Sequence, residues 1–399
     1  MSKLKDSLLK VGSIGKDADG AITRISYSNE YFEAVNATKA LMEEAGLIVS
    51  IDRVRNVHGY LPGKSPESKI IAMGSHLDTV KDGGLFDGCA GVMAGIDCVR
   101  RFRDLGIQPE HTIEVIGFVG EEAHPLLGGL FGSSAMMGMS NEMDPECLKK
   151  GMTMCGVSEE DVAATAVDTS RYECFLELHV EQGDHLISEK KQIGIVQGIV
   201  GICRYRICAT GQNNHAGTTK MSTRKDALVA MSKMITEINR RAKERGDGFV
   251  ATVGKLEVIP GAINIVPGYC EAVLEVRSME LGDIHDYVDG IKAYAAQITD
   301  ASIAIETISE KDSVWCDRSI MKQIQAVCEE KGIDPAVMTS GAGHDAKAIA
   351  KRLPIAMIFV PSVGGISHNK LEFTEWEDLD LGAEILFETL LKLDKENGR

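Results

Sequence analysis

A strand-like apolar run that leads into a histidine and three aspartates constrains the fold of this chain more than any other feature. The run KIIAMGS covers residues 69–75, and the polar turn after it belongs to the stretch GSHLDTVKDGGLFDGCAG at residues 74–91. The next segment, 89–106, has the pattern of a helix that stops at Gly106. A strand, a polar turn and a helix in this order are typical of an α/β domain.

Further apolar runs with helical segments between them extend this pattern. They lie at residues 112–120, 174–180 and 355–360. A continuous apolar run, without alternation, indicates a strand that is buried on both sides. We therefore predict an α/β fold whose sheet is covered on both faces.

The middle of the chain has a different pattern. Its strand-like segments alternate apolar and polar residues, as half-buried antiparallel strands do: 201–210, 248–260 and 268–278. Two helices are predicted between them, at about 224–245 and 282–298. We expect a catalytic α/β domain formed by residues 1–198 and 312–399, with an inserted α+β domain at residues 199–311.

The overall composition limits the partners of the chain. It has 399 residues and a formal net charge of −16, which argues against binding to the phosphate backbone of nucleic acids. No apolar run approaches the length of a membrane span, and the first residues lack the apolar core of a signal peptide. The ten cysteines form no CxxC pair, as is typical of reduced thiols. We expect a cytoplasmic protein that binds neither nucleic acid nor membranes.

His76 and Asp78 stand two residues apart at the predicted end of the first strand. Residues at this spacing face the same side of a strand. The imidazole can therefore bind a metal while the carboxylate holds its other nitrogen, an arrangement that is common around metal sites. Taken alone, the pair is better explained as an ordinary hydrogen-bonded histidine at the end of a strand.

Three more acidic residues are placed in a similar way. Asp87 lies beside Gly88 at the start of a helix, where it could bridge two cations or simply cap the helix. Glu121 and Glu122 come directly after the strand at 112–120. Adjacent carboxylates at the end of a buried strand repel each other and are costly without a cation. A solvated acidic turn is the alternative explanation.

Two further histidines complete the set. His179 lies at the end of the run CFLELHV, and His368 lies in the loop GISHNK after the run at 355–360. Histidine and carboxylate ligands without thiolates suit Zn²⁺, Mn²⁺, Co²⁺ or Ni²⁺. With Asp87 shared, the set predicts a site for two divalent metal ions about 3.5 Å apart.

The motifs that carry these residues resemble those of a known family. In chain order they are HLDTVKDGGLFDG, GEEAHP, ELHVEQG, NNHAGTTKMSTRKDA, GAINIVPG, EVRS, SGAGHDA and GGISHNKLEF. The series is similar, over nearly the whole chain, to the M20-type metallohydrolases. It resembles in particular their amidase/hydantoinase/carbamoylase branch, because ELHVEQG has a histidine where the peptidase branch usually has a carboxylate.

This resemblance implies an architecture and a set of metal ligands. The fold would be an α/β metallohydrolase catalytic domain with an inserted α+β dimerisation (lid) domain, through which a homodimer forms. His76, Asp87 and His179 would bind one metal. Asp87, Glu122 and His368 would bind the other. Glu121 would be the general base that activates a metal-bridging water.

The resemblance also implies how a substrate is held. Gln182, Asn264 and Arg277 would grip its carboxylate, for which arginine is a natural bidentate partner. His215 would stabilise the developing oxyanion from the partner subunit, and the backbone around Gly343 would contact the substrate. Without the resemblance, a surface ion pair for Arg277 and a solvated loop for His215 are the simpler explanations.

The implied activity is hydrolysis of the C–N bond of a ureido (N-carbamoyl) group in a small carboxylic acid. An N-carbamoyl-L-amino acid or allantoate would be the substrate, with release of ammonia and carbon dioxide. The chain departs from the family pattern at AHPLLGGLFGS, residues 123–133, and at Lys220, which stands where proline is usual. Both departures lie in regions expected to bind substrate, so the two substrates are not distinguished.

Other functions remain as alternatives. A dipeptidase or an N-acyl-amino-acid deacylase of the M20 type would use the same metals and the same base. A non-catalytic, metal-stabilised binding protein is disfavoured, because Glu121 and every implied metal ligand are present in the chain.

Overall fold

The structure is a computed structural model, and it describes residues 2–396 apart from residues 123, 125–126 and 140–144. Part of the divergent segment 123–133 therefore lies outside the described residues. The strands are β1 Ile48–Ile51, β2 Val57–Leu61, β3 Ile70–His76, β4 Thr112–Phe118, β5 Tyr172–Val180, β6 Gly194–Ile199, β7 Gly201–Thr210, β8 Asn214–His215, β9 Val250–Ile259, β10 Ile265–Val266, β11 Tyr269–Ser278, β12 Ser302–Lys311, β13 Val314–Trp315, β14 Ala336–Ser340 and β15 Ile355–Val360.

The α-helices lie before, between and after these strands along the chain. They are α1 Lys3–Gly12, α2 Asn29–Glu44, α3 Cys89–Asp104, α4 Phe131–Met136, α5 Pro145–Met154, α6 Glu159–Thr165, α7 His185–Glu189, α8 Ala227–Arg245, α9 Leu281–Ala295, α10 Arg318–Glu330, α11 Asp345–Ile349 and α12 Trp376–Glu396. Short 3₁₀ helices occur at Thr169–Arg171 and Val363–Gly365. Among the described residues, none of these helices is both long enough and apolar enough to cross a membrane.

The chain divides into two compact units. The first consists of Met1–Gln197 and Trp315–Arg399, and the second is Gly198–Val314. The predicted insertion at 199–311 begins one residue later and ends three residues earlier than this second unit.

The first unit is built on a nine-stranded sheet with the order β1-β2-β4-β3-β5-β15-β6-β13, and β14 also pairs with β6. Its centre is parallel, because β3 pairs in parallel with both β4 and β5, and β5 pairs in parallel with β15. Strands β1, β2 and β6 add antiparallel pairs on either side. A mixed sheet of this kind is common where a parallel centre carries antiparallel edges.

The central strands are buried on both faces, as their continuous apolar runs predict. Every residue of β15 is buried, and in β3 and β4 only the first residue is partly exposed. Helix α3 packs against β3, β4 and β5, and α12 packs against α3, β5 and β15. The predicted α/β fold class is therefore confirmed.

The second unit has a four-stranded antiparallel sheet with the order β12-β7-β11-β9. Helices α8 and α9 contact this sheet, and the alternating apolar residues of β7 and β11 face them in one buried cluster. Strands β8 and β10 form a separate two-stranded pair. Strand β12 is an addition to the strands that were predicted from the sequence.

A buried histidine cross-links the edge of the large sheet. His58 on β2 lies between two carboxylates, with Nδ1 2.7 Å from Glu114 Oε1 and Nε2 3.2 Å from Asp52 Oδ2. Burial opposes protonation of His58, but Asp52 and Glu114 outweigh it and raise the pKa of the imidazole to about 9. At neutral pH the imidazolium therefore stabilises the folded state.

The stability contributed by this histidine should depend on pH. Because its pKa is raised on folding, the contribution is complete below the unfolded value of about 6.5 and is lost as the pH rises through about 9. The free-energy difference between the wild type and H58Q should fall by about 3 kcal/mol from pH 6.5 to above pH 9. Urea unfolding followed by circular dichroism at each pH measures this free-energy difference.

H285Q serves as the control, because His285 forms an exposed pair with Glu310. The free energy of unfolding of H285Q should differ from that of the wild type by a small and nearly constant amount over the same pH range. A difference for H58Q that does not change with pH would contradict the assignment of charge to His58.

Candidate metal centre

Parallel pairing brings the predicted site residues of the first unit to one edge of the sheet. His76 is the last residue of β3 and lies in register with Phe118, the last residue of β4, so Glu121 and Glu122 follow at the same edge. His179 on β5 is in register with Phe359 on β15, the strand that leads towards His368. The carboxyl ends of neighbouring parallel strands thus supply the site.

Asp87 lies at the centre of this group. Its Oδ1 is 3.2 Å from His179 Nε2 and 3.5 Å from His76 Nε2, and its Oδ2 is 3.2 Å from His368 Nε2. Glu122 Oε1 is 3.5 Å from the same His368 nitrogen. The possible ligand atoms of His76, Asp87 and His179 lie within 4.8 Å of one another, and so do those of Asp87, Glu122 and His368.

Backbone carbonyls fix the orientation of two of the histidines. His76 Nδ1 donates to the carbonyl of Asp78 at 2.9 Å, and His179 Nδ1 donates to the carbonyl of Val180 at 2.8 Å. With Nδ1 engaged in each ring, Nε2 is the nitrogen that faces Asp87, and in the neutral ring its lone pair can bind a cation. Such a donor contact is the usual way in which a metal-binding histidine is held.

The carboxylate of Asp78 has a different contact from the one predicted. Its Oδ1 lies 4.0 Å from His76 Nδ1, and the backbone carbonyl of the same residue takes the histidine proton instead. The carboxylate accepts from the backbone N–H groups of Gly120 at 2.9 Å, Glu121 at 3.3 Å and Glu122 at 3.2 Å. Asp78 therefore holds the acidic turn with its side chain and His76 with its main chain.

A buried glutamate that sequence reasoning did not assign holds the turn of Asp87. Glu372 Oε1 accepts from the backbone N–H groups of Phe86 and Asp87, both at 2.9 Å, and Oε2 accepts from the Ser367 hydroxyl at 3.1 Å. A Cβ atom at Gly84 would lie 2.4 Å from Glu372 Cβ, so this approach requires glycine. The motif GGISHNKLEF contains Glu372, but its spacing alone does not indicate this contact.

Gly88 allows Asp87 to face the histidines. Its φ is +62°, and a Cβ atom there would lie 2.4 Å from the ring of His76. Gly88 occupies the N-cap position of α3, where no side chain makes a capping hydrogen bond. The alternative that Asp87 simply caps this helix is therefore wrong.

Unpartnered buried atoms show that cations would fit this site. Asp87 Oδ1, Glu122 Oε1 and His179 Nε2 are buried and have no hydrogen-bond partner among the described residues. Leaving such an atom unsatisfied costs about 1–3 kcal/mol. All three atoms belong to the two ligand groups around Asp87, and oxygen and imidazole donors of this kind suit divalent metals.

Burial and mutual repulsion set the protonation of the acidic residues. Burial favours protonation of Asp87, but the three histidines overcome it and hold the pKa of Asp87 well below its usual value. Burial raises the pKa of Glu121 well above its usual value, with repulsion from Glu122 adding to it and His76 opposing it. Burial, and then repulsion from Asp87, raise the pKa of Glu122 to about 7. The acidic cluster is thus costly without added positive charge.

A second group of buried residues borders His179. The possible ligand atoms of Glu177, His179 and His344 also lie within 4.8 Å of one another. His344 Nε2 lies 2.7 Å from the Ser340 hydroxyl, and burial followed by repulsion from His179 lowers its pKa well below the usual value. His344 is thus a buried histidine that is hydrogen-bonded to Ser340.

Two of the predicted substrate residues lie beside the candidate metal ligands and the predicted base. Gln182 Nε2 donates to Asp87 Oδ2 at 3.0 Å and lies 3.3 Å from His368 Nε2. A Cβ atom at Gly343 would be 3.8 Å from Glu121 Oε1, which places this backbone next to the predicted base.

The other predicted substrate residues lie in the second unit, in two separate places. His215 and Asn264 are neighbours, because His215 pairs with Ile265 and the Asn264 carbonyl accepts from the Ala216 N–H at 3.0 Å. Arg277 lies at the far end of β11, where Nε and Nη2 donate to Glu275 Oε1 at 2.9 and 2.6 Å. Within one chain, Arg277 and Asn264 therefore lie apart, although the resemblance assigns both to the substrate carboxylate.

Comparisons with known proteins agree with this geometry. A sequence model described as peptidase family M20/M25/M40 matches residues 72–392. The chain is 34% identical to an N-carbamoyl-L-amino acid amidohydrolase of Geobacillus stearothermophilus over 98% of both chains. It is 33% identical to an allantoate amidohydrolase of Escherichia coli, over 98% of this chain and 97% of that one.

The chain belongs to the peptidase family M20/M25/M40. A crystal structure of an amidase of the hydantoinase/carbamoylase family from Burkholderia multivorans is similar to it, with a TM-score of 0.86 and 29% identity. That similarity covers 98% of this chain and 97% of the Burkholderia chain. The resemblance to the carbamoylase branch of the M20 family is confirmed, and so is the predicted class, a hydrolase of linear amide C–N bonds.

Proposed function

We propose that this M20 family member is a binuclear metal-dependent amidohydrolase that cleaves the C–N bond of a ureido group in a small carboxylic acid. An N-carbamoyl-L-amino acid or allantoate is the proposed substrate. The observation that carries the proposal is the position of Asp87, whose two oxygens face two separate groups of ligands with Glu121 nearby. Relatives named for these two substrates match nearly the whole chain.

The proposed ligands divide between two cations. His76, Asp87 and His179 would hold one, and Asp87, Glu122 and His368 would hold the other. Zn²⁺ fits this donor set, as do Mn²⁺, Co²⁺ and Ni²⁺. When bound, such a pair of metals polarises the substrate carbonyl and lowers the pKa of a water towards 7.

Glu121 is the proposed general base. Its Oε2 lies 3.8 Å from His76 Nε2, and its side chain is only 11% exposed, so the carboxylate faces the metal ligands from a largely dry position. It would take a proton from the attacking water and deliver it to the leaving nitrogen. One water is consumed for each ureido group, and ammonia, carbon dioxide and the free amine are released.

The hydrogen bonds of His215 support its proposed role at the oxyanion. Its Nδ1 accepts from the backbone N–H groups of Gly217 at 3.0 Å and Thr218 at 3.3 Å. In the neutral ring the proton therefore lies on Nε2, which is left as a donor. A donor aimed at the oxygen of a tetrahedral intermediate stabilises the transition state. Gln182, Asn264, Arg277 and the backbone at Gly343 are proposed to bind the rest of the substrate.

The separation of Arg277 from His215 supports a homodimer formed through the inserted domain. Strand β11 begins at Tyr269, close to the pair of β8 and β10, and Arg277 lies eight residues further along it. At the usual rise of an antiparallel strand, these eight residues span about 27 Å. A small substrate cannot bridge this distance, so a site that uses both residues takes them from two chains.

The substrate class can be tested with a panel of compounds. Protein loaded separately with Zn²⁺, Mn²⁺ and Co²⁺ should release ammonia from N-carbamoyl-L-amino acids or from allantoate, and should not release amines from dipeptides or N-acyl amino acids. E121Q should lose at least about 100-fold in kcat, because it cannot take up the water proton. A matched control is E181Q, since the hydrogen bonds of the Glu181 carboxylate within the described residues go to the backbone N–H groups of His185 and Leu186.

Turnover of dipeptides alone would favour the peptidase alternative. The absence of turnover of any ureido compound with all three metals would refute the proposed function. An E121Q protein that retained full activity would show that Glu121 is not the base.

Complementation tests whether two chains build each site. R277A and H215A should each be nearly inactive as pure proteins. After mixing, unfolding and refolding at equal amounts, half of the dimers are mixed and each contains one intact site. The mixture should recover about a quarter of wild-type activity. A mixture that stays inactive, although analytical ultracentrifugation shows mixed dimers, would contradict the shared site.

A further inference from the structure

Every backbone polar group from the N–H of Val119 to the N–H of Glu122 has a hydrogen bond. Three N–H groups of this turn donate to the carboxylate of Asp78. Its carbonyls at Val119, Gly120 and Glu121 accept in turn from the backbone N–H groups of Gly132, Phe131 and Leu130, at 2.8, 2.8 and 3.1 Å. The turn that carries Glu121 and Glu122 is therefore fixed from two sides by these contacts.

Asn56 binds the one backbone group of the turn not yet described, the N–H of Val119 at the base of the turn. Its side chain is fully buried, and its Oδ1 accepts from the Val119 N–H at 2.9 Å. Its Nδ2 donates to the carbonyl of Gly132 at 3.2 Å. One amide group thus holds both backbone segments, 119–122 and 130–132. A Cβ atom at Gly132 would lie 2.1 Å from Asn56 Oδ1, so the approach is as close as the backbone permits.

The orientation of the Asn56 amide is itself fixed. Nδ2 also donates to Asp52 Oδ2 at 2.7 Å, and the Asn56 backbone N–H donates to Asp52 Oδ1 at 2.9 Å. Asp52 is paired with the imidazole of His58, which is paired with Glu114 on β4. Because the amide faces a carboxylate and a carbonyl on one side and an N–H on the other, its oxygen and nitrogen cannot exchange places.

We propose that Asn56 is a positioning residue for the reaction, acting through the turn that carries the base and one metal ligand. This inference rests on the proposed function. Among the described residues, the hydrogen bonds of Asn56 go to Asp52, Val119 and Gly132 and not to a proposed ligand side chain. Asn56 would act by fixing the backbone from which Glu121 and Glu122 extend. A shift of about 1 Å in such a group is enough to reduce catalysis strongly, because base and ligand must meet one water in a single geometry.

The experiment compares N56A with H111Q, a buried substitution in the same unit. His111 is hydrogen-bonded to Asp394, away from the residues placed in the site, with Nδ1 3.1 Å from Oδ1. Both variants are measured with Co²⁺ at a temperature where circular dichroism shows them fully folded. The two readouts are the absorption spectrum during Co²⁺ titration, and kcat and KM on the best ureido substrate.

N56A should bind the second of the two Co²⁺ ions at least about tenfold more weakly than the wild type, because Glu122 no longer has a fixed position. Its kcat should fall by at least about tenfold with KM within about threefold of the wild type, because the base is displaced while substrate contacts remain. H111Q should stay within about threefold of the wild type in both readouts. If N56A and H111Q gave the same Co²⁺ titration and the same kcat, a positioning role of Asn56 would be refuted.

A milder variant keeps the test decisive if N56A does not fold. N56S retains a hydroxyl and leaves room for a water, so it should show a smaller loss in the same direction. Wild-type behaviour of N56S in both readouts would refute the proposal. The Co²⁺ titration needs no substrate, so it decides the role of Asn56 even if the wild type hydrolyses no ureido compound.

Discussion

The carboxylate of Asp87 is the group on which the rest of the site depends. It is buried, three histidine nitrogens lie within 3.5 Å of its oxygens, and a buried carboxylate is tolerated only with compensating positive charge. Two histidines turn their Nδ1 atoms to backbone carbonyls and direct Nε2 towards it. The glycine that follows it removes the side chain that would collide with the ring of His76. The parallel strands carry His76 and His179, and the turn before helix α3 places Asp87 against them.

Carboxylates that are not proposed to bind metal also have a common role. Asp78 accepts from the N–H groups of the turn with Glu121 and Glu122, and Glu372 accepts from those of the turn with Asp87. A carboxylate that accepts several backbone N–H bonds is well solvated by the protein, which reduces the cost of its burial. The acidic residues of the site thus have two proposed purposes, to bind cations and to fix the segments that would bind them.

The sequence predicted the central fold well because its signals are local. Continuous apolar runs identified β3, β4, β5 and β15, and alternation identified β7, β9 and β11 of the second unit but not β12. The polar residues at the ends of these strands indicated the candidate metal ligands that the structure brings together. The contact of Asp78 was misassigned, because spacing gives the direction of a side chain but not whether its carboxylate or its carbonyl meets a histidine. Asn56, Glu372 and His58 depend on contacts between distant segments, so no local pattern indicates them. The separation of Arg277 from His215 likewise follows only from strand register.

The central claim is that Asp87 bridges two divalent cations, and anomalous X-ray diffraction from crystals of the protein loaded with Zn²⁺ tests it most directly. Two anomalous peaks per chain are predicted, about 3.5 Å apart. One should lie between His76, Asp87 and His179, and the other between Asp87, Glu122 and His368. A single peak, a peak among Glu177, His179 and His344 instead, or no peak near Asp87 would contradict the account.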